Sequence, residues 1–123
     1  MQRFVERRIA VEMCPSSNDQ IVGYDDALAG EQDGRTDPLA EYLRQGLRVT
    51  VNTDNPGISR TSPSAELYKA ACLSPGGLTR WQILQLLRNG FQAAFCPLRE
   101  RAQMLRQAEQ ALLDWLAQPE SWR

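Results

Sequence analysis

Two short stretches, Arg8-Ile9-Ala10-Val11-Glu12-Met13 and Arg48-Val49-Thr50-Val51-Asn52, are β-branched and partly alternating. Their length and pattern predict strands. Between them lie a polar, Asp/Gly-rich loop from Tyr24 to Thr36 and a helical run, Leu39-Ala40-Glu41-Tyr42-Leu43-Arg44. Asp37 is a good N-cap, Pro38 suits the first helical position and Gly46 closes the helix. Strand, helix, strand in this order is a βαβ unit, whose strands are parallel and whose crossover is right-handed.

After Asn55 the pattern becomes helical. Ser62 and Pro63 open a short helix over 64–73, and Ser74-Pro75-Gly76-Gly77 breaks it. Thr79 and Gln82 have the spacing of a capping box. Behind them Ile83, Leu84, Leu87, Phe91 and Ala94 recur at helical spacing as far as Pro97. A last helix carries Leu98, Ala102, Leu105, Leu112, Leu113 and Leu116 on one side. Two parallel strands are too few for a stable sheet, and parallel strands are normally covered on both faces by helices of neighbouring units. The pattern is that of the tail of a larger α/β protein, with residues 1–123 as one segment and no internal boundary.

Composition narrows the function classes. Hydrophobic residues make up 42% of the 123 residues and charged residues 24%, as in a soluble globular domain. The formal net charge of -1 gives no basic excess for nucleic acid, and acids sit among the clustered arginines. No apolar run approaches the roughly 20 residues of a membrane span, and Met1 to Arg8 lack the apolar core of a signal peptide. Three cysteines at wide spacing (Cys14, Cys72 and Cys96) suit a reduced, cytoplasmic protein with each thiol packed as a small hydrophobe. The chain has no histidine, so it cannot by itself complete any mechanism that needs imidazole.

Both predicted strands stop on polar residues, Cys14-Pro15-Ser16-Ser17-Asn18-Asp19 and Asp54-Asn55. Ligands of parallel α/β folds bind at the carboxyl ends of the strands. A carboxylate held rigid there is an oxygen ligand for a divalent cation, and an amide beside it can read a planar ligand edge. Asp-Asn-Pro-Gly is also ideal turn chemistry, the stronger reading from composition alone, and Ser16 to Asp19 can simply cap a loop. Cys14 has no histidine to activate it, which favours packing over nucleophilic catalysis.

The order of "VEMCPSSN", "DPLAEYLRQGLRVTVNTDNPGIS", "SAELYKAA" and "LTRWQILQLLRNGFQAAFCP", followed by a closing helix, resembles the C-terminal part of the adenosine deaminase family. That family shows a Cys-Pro-x-Ser stretch after one strand, a His-Pro helix, Asn-Thr-Asp-Asp-Pro after the last strand, and a helix with an Asn-Ala-x-x-Ala/Ser-Phe-x-Pro pattern. The resemblance implies the C-terminal portion of a (β/α)8 TIM barrel with a helix-rich tail. It implies hydrolytic deamination of a purine nucleoside at a zinc ion, whose bound water becomes acidic enough to act as the nucleophile.

Residue by residue, the resemblance makes Asp54 the metal ligand and Asn55 the residue that contacts the purine. Asn55 replaces the family's second aspartate, and an amide can still donate to a ring nitrogen. Asp37 replaces a histidine before proline, a structural change because aspartate caps a helix well. The zinc histidines, the catalytic glutamate and the proton-shuttling histidine of the family lie upstream of the matched pattern, so no catalytic set is complete in this chain. The expectation is a piece of a deaminase that is inactive alone and needs the missing N-terminal part or self-association. The alternative is a non-catalytic helical domain or degenerate relative that binds a protein partner.

Overall fold

The computed structural model describes residues 1–24 and 36–118, so most of the loop expected from Tyr24 to Thr36 lies outside the described residues. The elements in order are α1 (Gln2–Glu6), β1 (Ala10–Met13), α2 (Pro15–Val22), α3 (Leu39–Arg44), β2 (Arg48–Val51), α4 (Pro56–Ser59), α5 (Pro63–Leu73), α6 (Arg80–Ala93) and α7 (Leu98–Leu116). The chain divides into two compact units, Met1–Gly90 and Phe91–Arg123.

In the first unit β1 and β2 pair in parallel, with Ala10 opposite Arg48 and Met13 opposite Val51. Paired residues in a pleated sheet point to the same face. Val11, Met13, Val49 and Val51 therefore share one face, where they join a core with Leu39 and Leu43 of α3, Leu47, Ala70 of α5 and Leu86 of α6. Ala10, Glu12, Arg48 and Thr50 take the opposite face, polar at all positions but the first. The helix-rich α/β character and the parallel pair agree with the sequence pattern.

The caps explain the helix boundaries. Asp37 Oδ1 accepts from the Leu39 amide at 2.8 Å, so it makes the expected capping bond although α3 itself begins after Pro38. Gly46 (φ 78°) turns the chain out of α3 in a left-handed conformation that glycine adopts without strain. Ser62 Oγ accepts from the Ala65 amide at the start of α5. Thr79 and Gln82 form their capping box in both directions, Oγ1 accepting from the Gln82 amide and Oε1 from the Thr79 amide.

Three features differ from the pattern-based expectation. The short helix α1 precedes β1. Ser16 to Asp19, readable from sequence as a loop cap, lie instead within α2, which Cys14 caps and Pro15 begins. Helix α6 stops at Ala93, short of Pro97, and in the second unit Arg101 of α7 donates to the carbonyls of Gln92 and Cys96 in the connection that follows. Helix α7 keeps its apolar periodicity but buries none of its residues.

Asn89 is a buried polar residue with a defined role. Asn52 donates its backbone N–H to Met13 O at 2.9 Å, so the backbone groups of Asn52 and Thr50 face β1. Those of Val49 and Val51 then face the other edge of β2, where Asn89 Nδ2 donates to Val49 O at 2.8 Å. Asn89→Ala leaves this carbonyl unsatisfied and is expected to destabilise the fold by about 1–3 kcal/mol in denaturant titration.

Asp37 supplies a pH dependence. It is buried, and Oδ2 has no hydrogen-bond partner among the described residues. Burial, aided by nearby Asp19, raises its pKa above the ordinary 3.8, against the pull of the Leu39 amide. The folded state therefore holds this proton more tightly than the unfolded state. Stability falls as pH rises from the ordinary value through the raised one. Asp37→Asn keeps the acceptor for Leu39, and thermal melts across that window are expected to lose this part of the slope.

Candidate functional site at the strand ends

Parallel pairing brings the carboxyl ends of β1 and β2 together. β1 leads through Cys14 into α2, and β2 leads through Asn52, Thr53 and Asp54 into α4. These residues line an open pocket of about 360 Å³ with Glu12, Val51 and Pro63. The pocket thus holds the metal-ligand candidate Asp54 and Cys14, the first residue of the Cys-Pro-Ser-Ser stretch.

Asp54 is exposed and sits at φ 54°, in the left-handed region. An L-residue there carries strain of roughly 1–2 kcal/mol, less for aspartate than for most residues. Its carboxylate has no hydrogen-bond or ion-pair partner among the described residues. A turn built only for stability would place glycine here. Asparagine 55 shows the other behaviour: Asn55 Oδ1 accepts from the Ile58 amide at 3.3 Å and caps α4. Turn chemistry therefore accounts for Asn55 and Pro56 but not for the carboxylate of Asp54, and Asn55 is not among the residues that line the pocket.

The Cys14 thiol is partly buried. Burial raises its pKa above 9.0, and the carboxylates of Asp54, Glu12 and Glu66 raise it further, opposed by a hydrogen bond from the Asp54 backbone. It stays a neutral thiol at physiological pH, which fits neither a nucleophile nor a thiolate metal ligand. Among the described residues no three His, Cys, Asp or Glu side chains could together hold a metal ion. With no histidine in the sequence, the donors present make no zinc site by themselves, although Asp54 is a suitable single oxygen ligand.

Glu66, which the sequence reading passed over, lies behind this site. It is 0% exposed on α5; Oε2 accepts from the Ser16 amide at 2.9 Å, and Oε1 has no partner among the described residues. A carboxylate oxygen buried without a partner costs at least about 1–3 kcal/mol. One turn along both helices, Lys69 Nζ pairs with Asp19 Oδ2 at 2.7 Å. The glutamate stands in the first turn of a helix, a position that reads from sequence as a solvated charge favourable to the helix dipole. Only the long-range contact with α2 reveals its burial.

A family model described as adenosine deaminase matches residues 1–111. An adenine deaminase from Rhodopseudomonas palustris (strain BisB18) is 37% identical over 106 residues, covering 86% of this chain and 28% of its own length. An adenosine deaminase from Escherichia coli O1:K1 is 34% identical over 101 residues, covering 82% of this chain and 28% of its own length. An aminodeoxyfutalosine deaminase from Streptomyces coelicolor is 30% identical over 117 residues, covering 95% of this chain and again 28% of its own length. The chain therefore spans little more than a quarter of the curated relatives it matches.

The geometry gives a test of whether Asp54 is kept for folding. Asp54→Gly relieves the left-handed strain and is expected to leave stability unchanged or raise it by up to about 1 kcal/mol. Chemical denaturation of the two forms measures this; a clear loss would make Asp54 a structural turn residue.

Proposed function

Because the chain belongs to the adenosine deaminase family, we propose that it is the C-terminal part of a (β/α)8 hydrolase that deaminates a purine nucleoside in the cytoplasm. The observation that supports this most is Asp54 at the end of a parallel strand, with a strained backbone and an exposed carboxylate that has no partner among the described residues. Active sites of barrels lie at that end of the strands.

In this reading Asp54 gives one oxygen ligand to a zinc ion whose other ligands come from outside the chain. Asn55 keeps its carbonyl oxygen on the α4 cap and offers its NH2 group to a ring nitrogen of the purine. Cys14 and Pro63 shape the wall, and the neutral thiol adds no charge next to Asp54. Neither strand meets a further strand among the described residues, so both outer edges of the sheet await partners. Large apolar side chains such as Phe4, Ile9 and Trp81 are also exposed.

No helix among the described residues is long and apolar enough to cross a membrane. The open strand edges and exposed apolar side chains lead us to expect the missing part of the barrel as their occupant, or a second copy of the chain in its absence.

Two outcomes follow for the isolated chain and the assembled enzyme. Residues 1–123 alone are expected to show no adenosine deamination by loss of ultraviolet absorbance, to oligomerise in light scattering and to bind an apolar dye. A monodisperse monomer with a sharp unfolding transition would favour a self-sufficient, non-catalytic domain instead. With the N-terminal part supplied, Asp54→Ala is expected to abolish deamination, and retained turnover would remove Asp54 from the metal site. Asn55→Ala is expected to act mainly by raising KM, and unchanged kinetics would take it out of the substrate pocket.

A further inference from the structure

We propose that Glu66 is a positioning residue of the strand-end site, holding the β1 wall of the pocket in place relative to Asp54 through the backbone amide of Ser16. What is positioned rests on the deaminase reading; the tie itself does not.

The need for such a tie follows from where the sheet ends. The bond from Asn52 N to Met13 O lies at the carboxyl end of the β1–β2 ladder. Past it the two chains part, one through Cys14 into α2, the other through Asp54 and α4 toward α5. Cys14 is the N-cap of α2 yet makes no side-chain capping bond. Glu66 supplies the acceptor from α5, 50 residues away in sequence, to the second residue of α2. A local Ser or Asp cap would satisfy the same amide, but it would stand at position 14, on the pocket wall. Delegating the cap to Glu66 leaves a small neutral thiol there.

The bond is made to backbone, not to a side chain that can swing. It acts at the point where the chain leaves β1, and its acceptor, Glu66, is buried. The Lys69–Asp19 pair joins the same two helices one turn further from the pocket and is partly exposed. The two contacts thus separate two tasks: Lys69 and Asp19 help hold α2 on α5, whereas Glu66 sets the chain beside Asp54. A side chain present only to fill space would not bury a carboxylate oxygen that has no partner among the described residues.

The decisive experiment compares Glu66→Ala, Glu66→Gln and Lys69→Met by residue-resolved hydrogen exchange and by kcat and KM, both with the N-terminal part supplied. Glu66→Ala is expected to speed Ser16 amide exchange about tenfold or more while β2 amides change little. Glu66→Gln, which keeps an acceptor oxygen, is expected to restore protection. In the assembled enzyme Glu66→Ala is expected to lower kcat by up to about 100-fold with a smaller change in KM, as a displaced reacting geometry does. Lys69→Met is expected to lower stability and leave kcat.

Unchanged Ser16 exchange in Glu66→Ala overturns the proposal. So does a uniform loss of protection in both Glu66 variants, including a failure of both to fold, because the residue would then only hold the core. A wild-type assembly that does not deaminate removes the deaminase reading and leaves the exchange result to decide whether Glu66 sets the turn.

Discussion

The parallel pairing of β1 with β2 is the constraint on which the site depends. Antiparallel strands would put Cys14 and Asp54 at opposite ends of the sheet; parallel ones with Met13 opposite Val51 put them side by side. The crossover that permits this includes α3, whose Leu39 and Leu43 are buried in the core beneath the strands. The helix that makes the pairing possible therefore also supplies the apolar cover for one face of the sheet. The opposite face carries Glu12, Arg48 and Thr50, and that polarity runs on into the pocket.

The same architecture is incomplete as a sheet. Asn89 satisfies the Val49 carbonyl at the outer edge of β2, but one side chain is no substitute for a neighbouring strand. The relatives are between three and four times as long as the aligned segment, which gives a physical source for the strands that the edges lack. On the proposed reading, partial sheet and partial donor set have one explanation: a single strand-end carboxylate is what one strand of a barrel would contribute to a centre assembled from several.

Much of this was legible in the sequence where the interactions are local. The Thr79/Gln82 box, the Ser62 cap, the Asp37 bond and the Gly46 stop each depend on residues within a few positions, and each forms as the residue types dictate. Asp54 could be placed at a strand end for the same reason. Helix α2 was not legible, because Ser16, Ser17, Asn18 and Asp19 prefer caps and turns to helix interiors, and the acceptor that satisfies its first turn comes from Glu66. The periodicity of α7 was real, yet an apolar stripe states only that a face can be buried; Leu98 and Leu113 are 76% and 60% exposed.

Local and long-range contributions meet at the strand ends, and their division there has a physical logic. Positions that can touch a ligand, Cys14 and Asp54, are held by backbone geometry and by side chains elsewhere, so their own side chains take little part in holding the fold. Cys14 leaves its capping duty to Glu66. Asp54 takes a left-handed conformation that glycine would adopt more easily, and Asn55 does the capping beside it. Groups that stabilise the turn are thus separate from groups that face the pocket. This leaves a carboxylate without a partner among the described residues, at a small conformational cost, and free to meet a ligand.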